Sequence, residues 1–434
     1  MNPAVKNTLL FALMIGLIVA SAYYRSPDYA LRLLNFGLLS AIMAIGVNMQ
    51  WGYAGLFNIG VMGFVALGGV VAVLVSMPPI PEAWSAGGPQ VIFALLIGAA
   101  IIGAAIFAYQ RLAPGLMRTL AVLVILVGGF AVYRGIFDPA VGRIEAVNPA
   151  LQGYMGGLGL PVILAWPLGG LAAAGAAWLI GKTALGLRSD YLAIATLGIA
   201  EILIAVFKNE EWLTRGVKNV NGVPRPVPFE VDLQNDPAFV QRATDLGLEV
   251  NTAANLYVKL AYTSLFLAVL VIIMVLAQRA LNSPWGRMMR AIRDNEVAAE
   301  AMGKDVTARH LQIFVLGSAI CGVAGAMLIT QNGLFSPTEF QPLRYTFLIW
   351  VMVIVGGSGN NYGAVLGGML IWFLWVEVEP LGLDLMNAIT SGMAEGSWLK
   401  EHLQDSAAHM RLLTMGVILL LVLRFSPRGL IPER

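Results

Sequence analysis

Charge is scarce in this chain. Asp, Glu, Lys and Arg make up 12% of its 434 residues, against about 25% in an ordinary soluble domain. Hydrophobic residues make up 58%, more than one soluble core of this length can hide. A soluble enzyme and a disordered chain are thereby excluded. The formal net charge is only +2, so no basic field exists to hold a phosphate backbone, and nucleic acid is not an expected partner. Cysteine is nearly absent. Cys321 stands alone inside an apolar run, which excludes an intramolecular disulfide and a thiolate metal site. The three histidines form no ligand pattern, with His402 and His409 in one polar stretch and His310 elsewhere. No Gly-x-x-x-x-Gly-Lys-Ser/Thr phosphate loop occurs, and no Ser-His-Asp set points to catalysis. The expectation is a non-enzymatic chain with no cofactor, metal or nucleotide of its own.

Long apolar runs and glycine are abundant. A membrane helix needs about 20 mostly apolar residues. Candidate spans lie at 8–23, 33–50, 57–76, 91–109, 118–137, 162–181, 189–207, 257–279, 311–331, 344–356, 363–377 and 410–424. The runs are unbroken rather than alternating, which excludes a β-barrel. The 48 glycines suit close helix–helix approach. The predicted fold is all-α: a polytopic membrane bundle of about 10–12 spans. Segments 344–356 and 363–377 are short and flank Gly356-Gly357-Ser358-Gly359. They read either as two spans or as half-helices of a re-entrant hairpin.

Orientation follows Lys and Arg. The densest basic stretch, 279–310, holds Arg279, Arg287, Arg290, Arg293, Lys304 and Arg309 and is assigned to the cytoplasm. Counting outward puts Arg111, Arg118, Lys182, Arg188, Arg424, Arg428 and Arg434 on the same side. The 378–409 loop, with Glu379, Asp384, Glu395, Glu401 and Asp405 against Lys400, falls outside, as does the long 208–256 loop. Both termini are then cytoplasmic. Lys6, an apolar run and Ala20-Ser21-Ala22 imitate a cleavable signal; a retained first helix is preferred. Within 208–256, Pro224, Pro226 and Pro228 stiffen the middle, and 237–248 is predicted as a short surface helix.

Segment 283–303 is the most informative. Ser283-Pro284 is a helix start, and Gly303 is a stop. Met288, Met289, Ile292, Val297, Ala298, Ala299 and Met302 supply apolar contact surface. Arg290 and Asp294 are spaced to pair across one turn. Asn295 is placed to cap a second helix at Glu296. One or two amphipathic helices therefore join two spans, resting on headgroups or filling a protein socket. Glu201 lies inside an apolar helix, where an ionisable group is costly; it either binds a cargo amine or holds helices together. Asn48, Gln50 and Asn58 lie near a Gly-rich break at Gly55 and carry the same two readings. These five residues are the candidate translocation pathway.

The run from Ser283-Pro284-Trp285-Gly286-Arg287 through Arg290-Ala291-Ile292-Arg293-Asp294-Asn295-Glu296-Val297-Ala298-Ala299-Glu300-Ala301-Met302-Gly303 resembles the EAA-type coupling loop of ABC-importer permeases. The closest likeness is to the branched-chain amino-acid permease family of the LivM type. Trp51-Gly52-Tyr53-Ala54-Gly55-Leu56-Phe57-Asn58-Ile59-Gly60 is similar to its Gly-x-Ala-Gly-x-x-Ser-Leu-Gly signature. Ala195-Thr196-Leu197-Gly198-Ile199-Ala200-Glu201 is similar to its Ala-Thr-Leu-Gly-x-x-Glu helix. Asn221-Gly222-Val223-Pro224, Val355-Gly356-Gly357-Ser358-Gly359 and Phe425-Ser426-Pro427-Arg428-Gly429-Leu430 also fit. The resemblance covers most of 33–430. It departs at Asn58, where the family has Ser, and at Thr214-Arg215-Gly216, where it has Thr-Gly-Gly.

The resemblance implies one permease domain over 1–434 in a bacterial cytoplasmic (inner) membrane. It implies a second homologous permease chain, usually non-identical, two ABC ATPase subunits that use ATP and Mg, and a periplasmic solute-binding protein. The coupling surface is then Arg287, Arg290, Arg293, Asp294, Glu296, Ala298, Ala299 and Gly303, within the 280–310 loop. Branched-chain amino acids are the expected cargo, with urea and short amides as alternatives. A secondary transporter driven by an ion gradient is the competing class; it places charged groups near the midplane of repeated halves, and Glu201 is nearly alone here.

Overall fold

The computed structural model describes residues 3–150, 152–393 and 397–433. Glu395 and Arg434, used above to assign sides, lie outside them. The first helices are α1 (Pro3–Tyr24), α2 (Pro27–Ala54) and α3 (Val61–Ser76). A long hairpin follows, α4 (Pro81–Arg111) and α5 (Leu116–Glu145), then α6 (Ala165–Ala184) and α7 (Ser189–Asn209). Three short helices, α8 (Glu211–Thr214), α9 (Glu230–Asn235) and α10 (Pro237–Asp245), fill the long connector. Then come α11 (Val250–Asn282), α12 (Pro284–Asp294), α13 (Glu296–Ala301) and α14 (Val306–Asn332). The last are α15 (Pro342–Gly356), α16 (Asn361–Thr390), α17 (Trp398–Ser406) and α18 (Met410–Phe425). Proline opens α2, α4, α10, α12, α15 and others within the first turn, where its missing N–H costs nothing.

Among the described residues, nine helices are long and apolar enough to cross a membrane, and α3 and α15 are shorter apolar helices. The α17–α18 pair is bent by 56°. Each apolar segment of the sequence is a helix, but some limits differ. The segment read from 57 begins at Val61, because Gly55 takes φ +70° and ends α2. The half-helix reading of 363–377 is overturned: α16 has 30 residues, about 45 Å, and carries on through 378–390. Its partner α15 has 15 residues, about 22 Å, short of a bilayer core of about 30 Å. The short helix expected in 237–248 is α10.

The core lies where α2, α3, α6 and α14 cross, and small residues make the crossing possible. A Cβ placed on Gly68 would sit 1.9 Å from the carbonyl O of Gly322, and one on Gly325 1.9 Å from that of Val65. Here backbones touch backbones. Met14 of α1 is buried beside Leu366 and Ile431. The named strands among the described residues, β1 (Val220–Asn221) and β2 (Leu334–Phe335), pair antiparallel with Val220 opposite Phe335. They tie the long connector to the turn before α15.

Candidate functional site

Helices α12 and α13 form an amphipathic elbow. Gly286, Met289 and Ile292 are buried on one face of α12, and Trp285 Nε1 donates to Gln312 of α14 at 3.0 Å. Ser283 opens α12 without capping it; its hydroxyl donates back to Ala280 O at 2.6 Å. Asn295 does cap α13, accepting from Ala298 N at 3.0 Å. Gly303 ends the elbow at φ +75°. Of the expected apolar contact residues, Ala299 is buried, whereas Val297 is 75% and Met302 79% exposed. Ala298 and Glu296 are also exposed. The elbow thus keeps one face for its own chain and leaves α13 open.

Arg293 joins this elbow to the membrane core. Its guanidinium donates to the carbonyl of Gly52 in the last turn of α2. It pairs with Glu433 of the tail at 2.8 Å and with Asp294 at 3.0 Å. Burial pushes the Arg293 pKa down, but the carboxylates of Glu433 and Asp294 outweigh it and hold the group above its ordinary value. The expected Arg290–Asp294 pair is therefore not formed; Asp294 is taken by Arg293. The tail is itself pinned. Leu430 N donates to Val355 O and Ile431 N to Gly356 O, each at 2.9 Å, and Asn360 Nδ2 donates to Pro432 O at 3.1 Å. A groove of ≈ 740 Å³ between tail and elbow is lined by Arg287, Arg290, Arg428 and others.

Above Arg293 the chain breaks between α2 and α3. Gln50 and Asn58 meet there, and Asn48 lies on another side of α2 against Gly359 and Asn361, all buried. Asn48 donates to Asn361 at 3.0 Å and accepts from Gly359 N at 2.8 Å. Asn361 in turn donates to Gln278 of α11 at 3.2 Å. Gln50 donates to Phe314 O at 2.9 Å and Ser318 at 3.0 Å, and accepts from Asn58 at 2.9 Å. Asn58 O accepts from Trp350 Nε1 at 3.0 Å, and Phe57 packs on Trp350 with centroids 4.7 Å apart. Ile59 N and Met62 N donate to the hydroxyls of Thr196 and Thr346 at 3.1 and 3.4 Å. Asn58 pins the break itself, accepting from Gly60 N at 2.9 Å, and with Thr196, Thr346 and Trp350 it satisfies backbone groups there, as irregular backbone at membrane depth requires; Asn48 and Gln50 pin α2 to its neighbours.

This break separates two cavities. On the side away from α12, a mostly apolar chamber of ≈ 170 Å³ lies among α2, α3, α14, α15 and α16, with Met62 and Met43 in its wall. On the α12 side, a pocket of ≈ 150 Å³ is lined by Gly55, Phe57, Arg293, Glu296 and His310. Glu201 is not part of the pinned network. It is exposed on α7 and faces an open cleft of ≈ 990 Å³ with Arg344, Arg411 and Trp375. The structure therefore joins Gln50 to Asn58, ties Asn48 to Asn361 and Gly359 instead, leaves Gly55 at the end of α2, and sets Glu201 apart. Sequence reasoning missed Asn361, Gln278, Glu433, Arg344 and Arg411. The Asn360-Asn361 pair after Gly359 was the available signal, since Asn beside a glycine break marks a helix cap.

The family model described as branched-chain amino acid transport system / permease component matches residues 29–145 and 112–423. The chain belongs to that permease family. This permease is 27% identical over 93% of its length to the probable branched-chain amino acid transport permease protein LivM of Methanocaldococcus jannaschii, covering 92% of that protein. It is 30% identical over 52% of its length to the high-affinity branched-chain amino acid transport system permease protein LivM of Salmonella typhimurium. The matched region spans about half of that relative, 53%. It is also similar to the fructose import permease protein FrcC of Rhizobium meliloti, 33% identical over 27% of this chain and 33% of that one. No solved structure matches. The resemblance drawn from 283–303 and the Gly-rich signatures thus agrees with the family.

Proposed function

We propose that the chain is a membrane-spanning subunit of an ATP-driven importer that carries branched-chain amino acids inward by alternating access. The observation that carries this reading is the elbow α12–α13. It is anchored by Met289 and Ile292, open on α13, and bonded through Arg293 to the break at Gly52–Gly60. A push on the open face reaches the barrier between the two cavities through one guanidinium. The α12 end, with the basic connectors and both termini, is the cytoplasmic side. The 208–256 connector and the segment after α16 face the periplasm of an inner membrane. Of the assembly's two ABC ATPases, one docks on Glu296, Ala298 and the basic groove of Arg287 and Arg290; the ATPases bind and hydrolyse ATP with Mg. A second, homologous permease chain and a periplasmic binding protein complete the assembly. Gly303 sets the exit of the elbow, and Asp294 and Glu433 hold Arg293 in place.

The open face is tested by Ala298→Trp, which leaves the buried Ala299 untouched. Uptake of labelled leucine is expected to be lost while the chain stays in the membrane and ATP hydrolysis continues. Normal leucine uptake by this variant overturns the docking assignment. Uptake that survives ATP depletion but collapses with the proton or sodium gradient overturns the importer class.

A further inference from the structure

The cleft between α7, α15 and α18 holds one acid, Glu201, among the basic side chains of Lys208, Arg344 and Arg411. Among the described residues, neither Glu201 nor Arg344 forms a salt bridge or a side-chain hydrogen bond. Arg344 instead lies over the rings of Trp375 and Tyr345, at 5.2 and 5.7 Å. Arg411 borders the same cleft but is paired with Glu379. Glu201 and Arg344 also lie at similar depth. Thr196 and Thr346 receive hydrogen bonds from the same short segment, Ile59 to Met62. Glu201 is five residues beyond Thr196, about 7.5 Å, and Arg344 two residues beyond Thr346, about 3 Å, both away from α12. The two charges are therefore within about one helical turn of each other in height. Phe347, Leu348, Leu412 and Met415 give the wall an apolar stretch, and Lys208, Gln341 and His409 line its polar part.

A carboxylate in the middle of a 21-residue apolar helix cannot face acyl chains without a large cost. Its surroundings must be water, cargo or protein. We infer that this cleft is an aqueous binding site for a zwitterionic amino acid. The ammonium lies toward Glu201, the carboxylate toward Arg344, and the aliphatic side chain against Phe347, Leu412 and Met415. The second permease chain closes its open side. Glu201 and Arg344 beside an apolar stretch complement this ligand class, with Lys208 adding to the positive side, whereas a neutral solute such as urea leaves these charges uncompensated. The inference rests on the importer reading above and assigns its cargo site to this cleft rather than to the chamber behind the break.

The test uses intact cells in which the resident copy is replaced by variants, with labelled leucine as the probe. Glu201→Gln and Arg344→Gln are each expected to lower uptake about tenfold or more at unchanged membrane level, the cost of removing one charged partner. Glu201→Asp and Arg344→Lys keep more of it. Leu412→Cys adds a thiol to a chain whose own Cys321 is buried. A membrane-impermeant thiol reagent is expected to label it, and leucine to slow the labelling. Uptake within about twofold of wild type for both neutral variants, or an unlabelled Leu412→Cys chain that transports normally, overturns the cleft assignment. If the unaltered chain supports no ATP-dependent leucine uptake, the cargo reading fails instead; thiol labelling then still decides whether the cleft is aqueous.

Discussion

The α4–α5 hairpin and the α2–α3–α14 crossing are both strongly apolar, yet they are built by opposite rules. In the hairpin the two helices pack chiefly along each other, with a small cluster at Val91, Ala94, Phe137 and Ala140. Their outer faces expose Phe93, Phe107, Val124 and Phe130. Gly103, Gly128 and Gly135 meet nothing within 4 Å. At the crossing, Gly68 and Gly325 are pressed against neighbouring carbonyls, and polar side chains are buried and paired. The hairpin asks only to be apolar, whereas the crossing asks for particular atoms at particular places. Hydropathy cannot separate these two demands, because lipid tails and a packed helix surface are equally apolar.

The largest expected contrast sets Gly68→Val against Gly128→Val. The first drives a side chain into the Gly322 carbonyl, and overpacking of this kind costs at least about 1–3 kcal/mol. Folded protein recovered by size exclusion after mild detergent extraction is expected to fall sharply for Gly68→Val and to stay level for Gly128→Val. Equal recovery would erase the distinction between the two regions.

Next comes a pair of arginines. Arg293→Ala removes the bonds to Gly52, Glu433 and Asp294. It is expected to leave the chain in the membrane and abolish leucine uptake. Arg134→Ala removes an exposed pair with Asp138 on α5 and is expected to change uptake little. Comparable losses in both would mean that Arg293 has no special place in transmission.

Asn48→Leu is a finer probe. It removes the partners of Gly359 N and Asn361 Oδ1 in a buried site, at a cost of about 1–3 kcal/mol. A lower melting temperature of the purified chain is the expected readout; an unchanged one means that water replaces the amide. Glu433→Gln is the smallest. It keeps the shape of the contact and removes one partly exposed charge, worth up to about 1 kcal/mol, so a slight drop in melting temperature is expected.

The apolar segments and the elbow were legible because they depend on local pattern. Pro284 starts α12, Asn295 caps α13 and Gly303 ends it, all within 20 residues. The pins of the break were only half legible. Asn48, Gln50 and Asn58 stand out as polar in an apolar stretch, but their partners Asn361, Ser318 and Phe314 lie more than 250 residues away in sequence. Arg290 and Asp294 had the spacing to pair. The contest was decided by Glu433, which is 140 residues from Arg293 and draws that side chain beside Asp294. Arg344 escaped notice because it reads as the first residue of an apolar run.

The tail that caps α15 also has a consequence for biosynthesis. Residues 426–433 are translated after α1–α18, yet they occupy the last carbonyls of α15 and hold Arg293 in place. Until they emerge, those carbonyls and that guanidinium lack their final partners. The elbow therefore reaches its working geometry only after α18 has been made, which orders the events at this face: insertion of α1–α18 first, and a finished elbow afterwards.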